Sequence, residues 1–226
     1  MIGVFDSGVG GLCAYRELRR MRPGEDMIYL ADRKNAPYGT KGADEILYFT
    51  KNNIRLLKEM GAEAVLIACC SASSVYPMLN EEERAIATPI ITPAAMEAVK
   101  GAKSIAVIAT DHTVDVRAFG REIERLCDAT VSEMAEQRLV SLVENGSRDG
   151  RVCYECSEYL KNLATRIRTV GADTLILGCT HFSHLEGEIS RLLPEVRIIS
   201  PARVGAKIMS EKIPPHRHER GRDRYI

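Results

Sequence analysis

The amino-acid sequence predicts an α/β protein built from two similar domains, each with a mostly parallel sheet flanked by helices. Two observations support this prediction. Short apolar, β-branched runs alternate with amphipathic segments along the 226 residues, an order typical of strand–helix–strand units. One stretch of the first half also recurs in the second, which indicates an internal repeat. We therefore expect a pseudo-twofold relation between the halves, with the active site between them.

The hydrophobic pattern assigns the individual elements. The predicted strands are Ile2–Phe5, Met27–Ala31, Ala64–Cys69, Pro89–Thr92, Ser104–Ala109, Thr174–Gly178 and Arg197–Ser200. The predicted helices are Asp44–Met60, Val114–Leu126, Ser157–Val170 and Arg203–Lys212. Runs of this length bounded by polar turns favour buried strands, and apolar residues three and four apart favour helices.

The internal repeat is clearest around two cysteines. Residues 61–70 read GAEAVLIACC and residues 171–180 read GADTLILGCT. A second pair, PIITPAAMEAVK from Pro89 and RIISPARVGAKI from Arg197, recurs at nearly the same offset. One such pair is also explained by a common helix-to-strand phrase, but two pairs at similar offsets favour a real duplication.

The repeat sets the predicted domain boundaries. A third and weaker pair, IGVFDS and IAVIAT, begins each half. We predict a first half over residues 1–95, a second half over residues 96–202, and a C-terminal segment over 203–226 that returns to the first half.

Composition narrows the class of partner and compartment. Lys plus Arg and Asp plus Glu both number 31, so overall charge favours neither nucleic acid nor an anionic membrane surface. No apolar run approaches the ~20 residues of a membrane-spanning helix, and no signal-peptide pattern is visible. The seven cysteines are an odd number. They are expected to be free thiols in a reducing, cytoplasmic environment.

The repeated cysteines, Cys69 and Cys179, each end a predicted strand and open a turn into a helix. Ligands of α/β sheets bind at these strand ends. A helix N-terminus also favours a thiolate, so a lowered pKa is expected for both thiols. Two opposed acid/base groups suit racemisation, in which one removes a proton from a stereocentre and the other donates one to the opposite face. Either cysteine alone is equally consistent with an inert core residue.

Five sequence blocks make this chain resemble the glutamate racemases of the aspartate/glutamate racemase superfamily. They are FDSGVGGL at Phe5–Leu12, YLADRKNAPYG at Tyr29–Gly39, ACCSAS at Ala68–Ser73, LVENG at Leu142–Gly146 and LGCTHF at Leu177–Phe182. The resemblance implies interconversion of L- and D-glutamate without pyridoxal phosphate or metal, D-glutamate supply for peptidoglycan, a small-molecule substrate and a homodimer.

The resemblance also implies roles for individual residues. The positions that match catalytic or assisting groups are Cys69, Cys179, Asp6, Glu144 and His181. The positions that match substrate-binding groups are Ser7, Tyr38, Gly39, Cys70, Ser71, Thr113 and Thr180. Simpler structural roles stay open: Asp6 and Ser7 as a helix cap, Glu144 on a solvated helix face, and Tyr38–Gly39 as a turn.

One departure from the family phrase bears on the substrate. Cys70 and Ser71 replace the Asn and Thr of the usual A-C-N-T-A-S, and a thiol is a poor substitute for an amide. Alternative functions are therefore a racemase of another amino acid such as aspartate, or a catalytically silent amino-acid-binding protein. A nucleotide-binding oxidoreductase is a weaker alternative, because DSGVGG lacks the third glycine of the dinucleotide fingerprint.

Overall fold

The computed structural model describes residues 1–148, 151–214 and 221–226. Eleven strands are found in these residues: β1 Ile2–Asp6, β2 Met27–Ala31, β3 Ala64–Ile67, β4 Ala87–Pro89, β5 Ser104–Ala109, β6 Thr130–Ala135, β7 Ser147–Arg148, β8 Arg151–Val152, β9 Thr174–Gly178, β10 Arg197–Ile199 and β11 Asp223–Tyr225.

Eleven α-helices are found in the same residues. They are α1 Leu12–Met21, α2 Ala43–Glu59, α3 Cys70–Ser74, α4 Glu81–Ile86, α5 Ile91–Ala98, α6 Asp111–Asp115, α7 Ala118–Glu124, α8 Gln137–Gly146, α9 Tyr154–Thr169, α10 Glu186–Leu192 and α11 Pro201–Lys212. Short 3₁₀ helices cover Tyr38–Thr40, Tyr76–Met78 and Thr180–Leu185. None of the described helices is long and apolar enough to cross a bilayer.

The two large sheets share one strand order. The first runs β11-β2-β1-β3-β4 and the second β10-β9-β5-β6. Reversed, the second order is β6-β5-β9-β10, which matches β2-β1-β3-β4 strand for strand. Every pairing in these two sheets is parallel. The predicted α/β fold with two parallel sheets is confirmed. The first and third repeated pairs fall on equivalent strands, and the second pair runs from strands β4 and β10 into helices α5 and α11.

A single apolar cluster joins the two sheets. It contains Leu66 of β3 and Ile176 of β9 together with residues of α1, α5 and α11. Both side chains are fully buried, and burying a side chain of this size contributes about 1.5–3 kcal/mol. Because helices α5 and α11 pack against each other and against strands of both sheets, the carboxyl ends of β3 and β9 are held near one another.

Two predicted elements differ from the structure. The strand predicted at Pro89–Thr92 lies earlier, since β4 ends at Pro89 and α5 begins at Ile91. The helix predicted at Val114–Leu126 is divided into α6 and α7 by Arg117, whose φ of 50° is left-handed. The strand was misplaced because a short apolar run such as Pro89–Thr92 does not distinguish a short strand from the first turn of a buried helix.

The C-terminal strand β11 pairs with β2 in the first sheet. Its Tyr225 ring packs on Tyr15 of α1, with ring centroids 5.4 Å apart. Residues 215–220, within the segment predicted to return to the first half, lie outside the described residues. The domain boundary near residues 95–96 stays a prediction.

The packing of α11 gives a stability test. A Cβ added at Gly205 would lie 2.4 Å from Ile90 Cγ2, and Ile90 is fully buried. We expect Gly205→Ala to destabilise the fold by about 1–3 kcal/mol through overpacking. At Gly187 of α10 an added Cβ meets nothing within 4 Å, so Gly187→Ala should stabilise by up to ~1 kcal/mol. Urea unfolding measures both; equal effects would contradict this packing.

Candidate functional site

Both repeated cysteines line one cavity between the two sheets. Cys69 directly precedes α3, and Cys179 directly precedes the 3₁₀ helix Thr180–Leu185. Both are buried, with 5% and 7% of their surface exposed. Nine of the twelve predicted site residues line this cavity: Ser7, Tyr38, Gly39, Cys69, Cys70, Ser71, Cys179, Thr180 and His181.

The cavity is narrow and carries no Lys or Arg among the described residues that line it. The free volume of the cavity is about 20 Å³, which is room for about one water molecule. The lining combines thiols, hydroxyls, one imidazole and one carboxamide. A ligand larger than water therefore requires the walls to move apart.

The surroundings of the two thiols differ. Cys69 Sγ lies 3.6 Å from Ser7 Oγ, whereas Cys179 Sγ lies 3.6 Å from Nδ1 of His181. Burial raises the pKa of Cys69 to about 12, although backbone N–H groups, led by that of Ala72, oppose the rise. Burial likewise raises the pKa of Cys179 against nearby backbone N–H groups. The expected lowering of both pKa values was wrong, because desolvation outweighs the helix ends.

Asp6 lies beneath the cavity and links the two halves. Its carboxylate accepts hydrogen bonds from the Gly8 N–H at 2.9 Å and from the Thr180 hydroxyl at 3.2 Å. The side chain is fully buried. Burial raises the pKa of the Asp6 carboxyl, while the charge of His181 opposes the rise. Asp6 therefore acts on the cavity through Thr180 and through its own field rather than as part of the wall.

His181 stands between a thiol and a carboxylate. Its Nε2 lies 3.0 Å from Glu144 Oε1, which is ion-pairing distance, but the ring N–H is not directed at that oxygen. Glu144 belongs to α8, and 53% of its side chain is exposed. The structure thus brings Glu144 to the outer side of the imidazole, away from the cavity wall.

A chain of hydroxyls forms another part of the site. Ser71 Oγ lies 3.2 Å from Thr110 Oγ1, which lies 3.0 Å from Thr113 Oγ1. Thr110 lines the cavity, whereas Thr113 sits behind it. Thr110 was not predicted, although the weak repeat pair IGVFDS and IAVIAT aligns it with Ser7. The substrate contact assigned to Thr113 stays a prediction.

Tyr38 is held by a polar network on the first sheet. Its hydroxyl donates to Asp32 Oδ2 and accepts from the Asn53 side chain at 3.0 Å. Asp32, which follows β2, also accepts from Asn35 at 2.9 Å. Because its hydroxyl is bonded to Asp32 and Asn53, Tyr38 lines the cavity with its aromatic ring. Sequence patterns gave no sign of this network, whose members are up to 21 residues apart.

The glycine-rich turn after β1 has a packing role. A Cβ on Gly10 would lie 2.5 Å from Thr180 Oγ1, and a Cβ on Gly11 would lie 2.5 Å from the Asp6 Cβ. Gly10 thus lets the turn approach the second half closely, whereas Gly11 lets it pack on the ends of strands in the first half. Cys153, which begins the Cys-x-x-Cys pair, accepts the Cys156 backbone N–H at 3.4 Å as the cap of α9.

Comparison with known proteins identifies the family. The family model described as Asp/Glu/Hydantoin racemase matches residues 14–209. The chain belongs to the Asp/Glu/Hydantoin racemase family. It is 39% identical to the glutamate racemase of Desulforudis audaxviator over 89% of this chain and 74% of that protein. It is 35% identical to the glutamate racemase of Persephonella marina over 93% of this chain and 82% of that protein.

Solved racemase structures share the fold. A glutamate racemase isoform from Bacillus anthracis superposes with a TM-score of 0.90 at 30% identity, covering 100% of this chain and 87% of that one. The Francisella tularensis glutamate racemase in complex with D-glutamate gives 0.88 at 28% identity, covering 99% of this chain and 86% of that one. Membership in the racemase family sets the nucleotide-binding alternative aside.

The raised pKa of Cys69 in this racemase-family chain leads to a pH-dependent expectation. Iodoacetamide reacts with thiolates, so alkylation of Cys69 should rise about tenfold per pH unit from pH 7 to 9 without levelling off. Glutathione, with a thiol pKa near ~8.5, should begin to level off in the same range. Mass spectrometry of tryptic peptides measures the rate at each site. Levelling off of Cys69 below pH 9 would contradict the effect of burial.

Proposed function

We propose that this chain is a glutamate racemase in which Cys69 and Cys179 are the two proton-transfer groups. The observation that carries the proposal is that both sulfurs, from equivalent strand ends of two matching sheets, line one cavity. The similarity to glutamate racemases over most of the chain supports glutamate as the substrate. An amino-acid isomerase also needs the paired acid and base that these thiols supply.

The reaction balances with the two thiols alone. In one direction, the thiolate of one cysteine removes the α-proton, and the C–H electron pair stays on the α-carbon. The thiol of the other cysteine then delivers its proton to the opposite face. The product is the mirror-image amino acid, and thiol and thiolate have exchanged places. The reverse direction uses the same groups in exchanged roles.

The raised thiol pKa values have two consequences. Because burial raises the pKa of Cys69 to about 12, this thiol stays almost entirely protonated at pH 7 before a substrate binds. The same shift makes that thiolate a stronger base toward a weakly acidic C–H bond. A substrate ammonium group in the cavity favours the thiolate by its positive charge. The substrate therefore helps to generate the base that acts on it.

Neutral donors hold the substrate in this proposal. Because no Lys or Arg is found among the described residues lining the cavity, the substrate carboxylates rely on hydroxyl and backbone N–H groups. Ser7, Ser71 and Thr180 supply hydroxyls. Gly39 supplies backbone groups, and the ring of Tyr38 forms part of the cavity wall. Cys70 presents a thiol where the family phrase has an amide.

The assisting groups lie around the thiols. His181, which lines the cavity, orients the Cys179 thiol from 3.6 Å, and Glu144 lies 3.0 Å from the other nitrogen of that imidazole. Asp6 orients Thr180 through a 3.2 Å hydrogen bond, and its negative charge raises the pKa of both thiols. Asp6 and Glu144 have positioning roles, since neither lines the cavity.

We further infer that the protein is a homodimer and works in the reducing cytoplasm. The D-glutamate that it produces would supply peptidoglycan synthesis. All seven cysteines are free, as expected where thiols stay reduced. Helix α2 exposes Tyr48 and Leu56, at 64% and 41%, which is apolar surface that a second copy would cover. Light scattering measures the oligomeric state, and a monomer at micromolar concentration would contradict the dimer.

The proposal is tested by replacing each thiol. Cys69→Ser and Cys179→Ser should each reduce kcat for racemisation of L-glutamate by ~10³-fold or more, because a serine hydroxyl is a far weaker acid and its conjugate base is not formed near pH 7. Circular dichroism follows racemisation, and NMR in D₂O follows exchange of the α-proton. Cys127→Ser is the matched control, since this partly exposed cysteine does not line the cavity, and it should retain full activity.

Three results would overturn the proposal. Near-normal turnover by either single variant would show that the thiol is not a proton-transfer group. Binding of glutamate by the unaltered protein without α-proton exchange would favour the silent binding protein, which the thiol at Cys70 suggests. Faster turnover of aspartate than of glutamate would instead favour the alternative substrate.

A further inference from the structure

Gln137, the first residue of α8, carries an unsatisfied polar atom into the cavity. Its side chain lines the wall with both cysteines. Its Oε1 is enclosed by protein atoms and has no hydrogen-bond partner in the described part of the chain. Buried polar atoms are normally paired, so an unpaired amide at a cavity wall points to a ligand group as its partner.

Gln137 belongs to one corner of the cavity. A Cβ on Gly39 would lie 2.8 Å from Gln137 Oε1 and 2.6 Å from the Thr110 Cβ. Ser71 Oγ lies 3.2 Å from Thr110 Oγ1. The Gln137 amide and the aliphatic side of Thr110 therefore meet at Gly39, and the Thr110 hydroxyl pairs with Ser71.

This corner is distinct from the immediate surroundings of the sulfurs. The side-chain contacts of Cys69 and Cys179 are with Ser7 and His181. In the proposed reaction the α-carbon lies between the sulfurs. The amino-acid side chain then extends from the thiols toward another part of the wall, and the corner formed by Gln137, Thr110 and Ser71 is one polar part of that wall.

We propose that Gln137 is a specificity-determining residue whose side-chain amide binds the side-chain carboxylate of the substrate. The inference rests on the proposed function. The amide turns by 180° to present its N–H in place of its oxygen, and a carboxylate accepts such a hydrogen bond. Gln137 thereby supplies an amide in a cavity where position 70 holds a thiol, and where the described lining offers no Lys or Arg.

Two nearly isosteric variants test this role. Gln137→Met removes the donor, and Gln137→Glu replaces it with a like charge. Calorimetry with pre-equilibrated DL-glutamate should show binding weakened about tenfold or more in Gln137→Met. Gln137→Glu should bind more weakly still, because two carboxylates repel. In racemisation assays KM should rise accordingly, while kcat changes less than about threefold, since the reacting carbon is untouched.

The control is Arg138→Gln, the next residue along α8, whose side chain is 66% exposed. It should bind glutamate as the unaltered protein does. Melting curves establish folding, and either variant of Gln137 suffices for the binding test. A purely structural role would lower kcat and would not make Gln137→Glu worse than Gln137→Met.

The outcomes separate this inference from the proposed function. If the unaltered protein racemises glutamate and both variants keep its affinity and KM, the role of Gln137 is overturned while the racemase stands. If the unaltered protein binds glutamate without racemising it and Gln137→Met weakens that binding, the role of Gln137 stands and the racemase is overturned. If the unaltered protein does not bind glutamate, both are overturned.

Discussion

The site depends on one constraint: the carboxyl ends of β3 and β9 must stay adjacent across the junction of two sheets. The shared apolar core around Leu66 and Ile176 enforces this. The register of β9 on β5 fixes the position of the thiol, since Gly178 pairs with Ala109 and Cys179 is the next residue. A slip of one residue would turn the thiol to the other face of the sheet. Burial of apolar strands thus sets the position of chemistry that is itself polar.

The same burial determines the state of the thiols. Backbone N–H groups at the start of the following helices lower the pKa of each thiol, but desolvation raises it more. A buried cavity of low dielectric constant strengthens every charge interaction within it. The price is a small population of thiolate in the empty state. In the proposed reaction, the cationic ammonium group of the substrate offsets that cost, so that substrate binding and formation of the thiolate base are coupled.

The sequence predicts features that depend on local patterns, and it does not predict features that depend on contacts made only in the folded protein. Both cysteines and most strands of the two large sheets were predictable, because the repeat and the apolar runs are local patterns, whereas the edge strands β6 and β11 were not predicted. The contacts of Tyr38 with Asp32 and Asn53 were not, because they join positions distant in the chain. Helix α8 brings Gln137 to the wall with no motif to mark it. The lowered thiol pKa was wrongly expected, because the depth of burial is a property of the whole fold.

The twin halves are alike in topology but unlike at the sulfurs. One thiol has a serine hydroxyl beside it, and the other has an imidazole backed by a carboxylate. The two enantiomers of an amino acid have equal free energy in solution. The values of kcat/KM for the two directions must therefore be equal, whatever surrounds each thiol. An asymmetric site can change the individual values of KM and kcat for each enantiomer, but the ratio kcat/KM stays the same for both. In the proposed reaction, the different neighbours of the two thiols thus affect KM and kcat for each enantiomer and leave the equilibrium between the enantiomers unchanged.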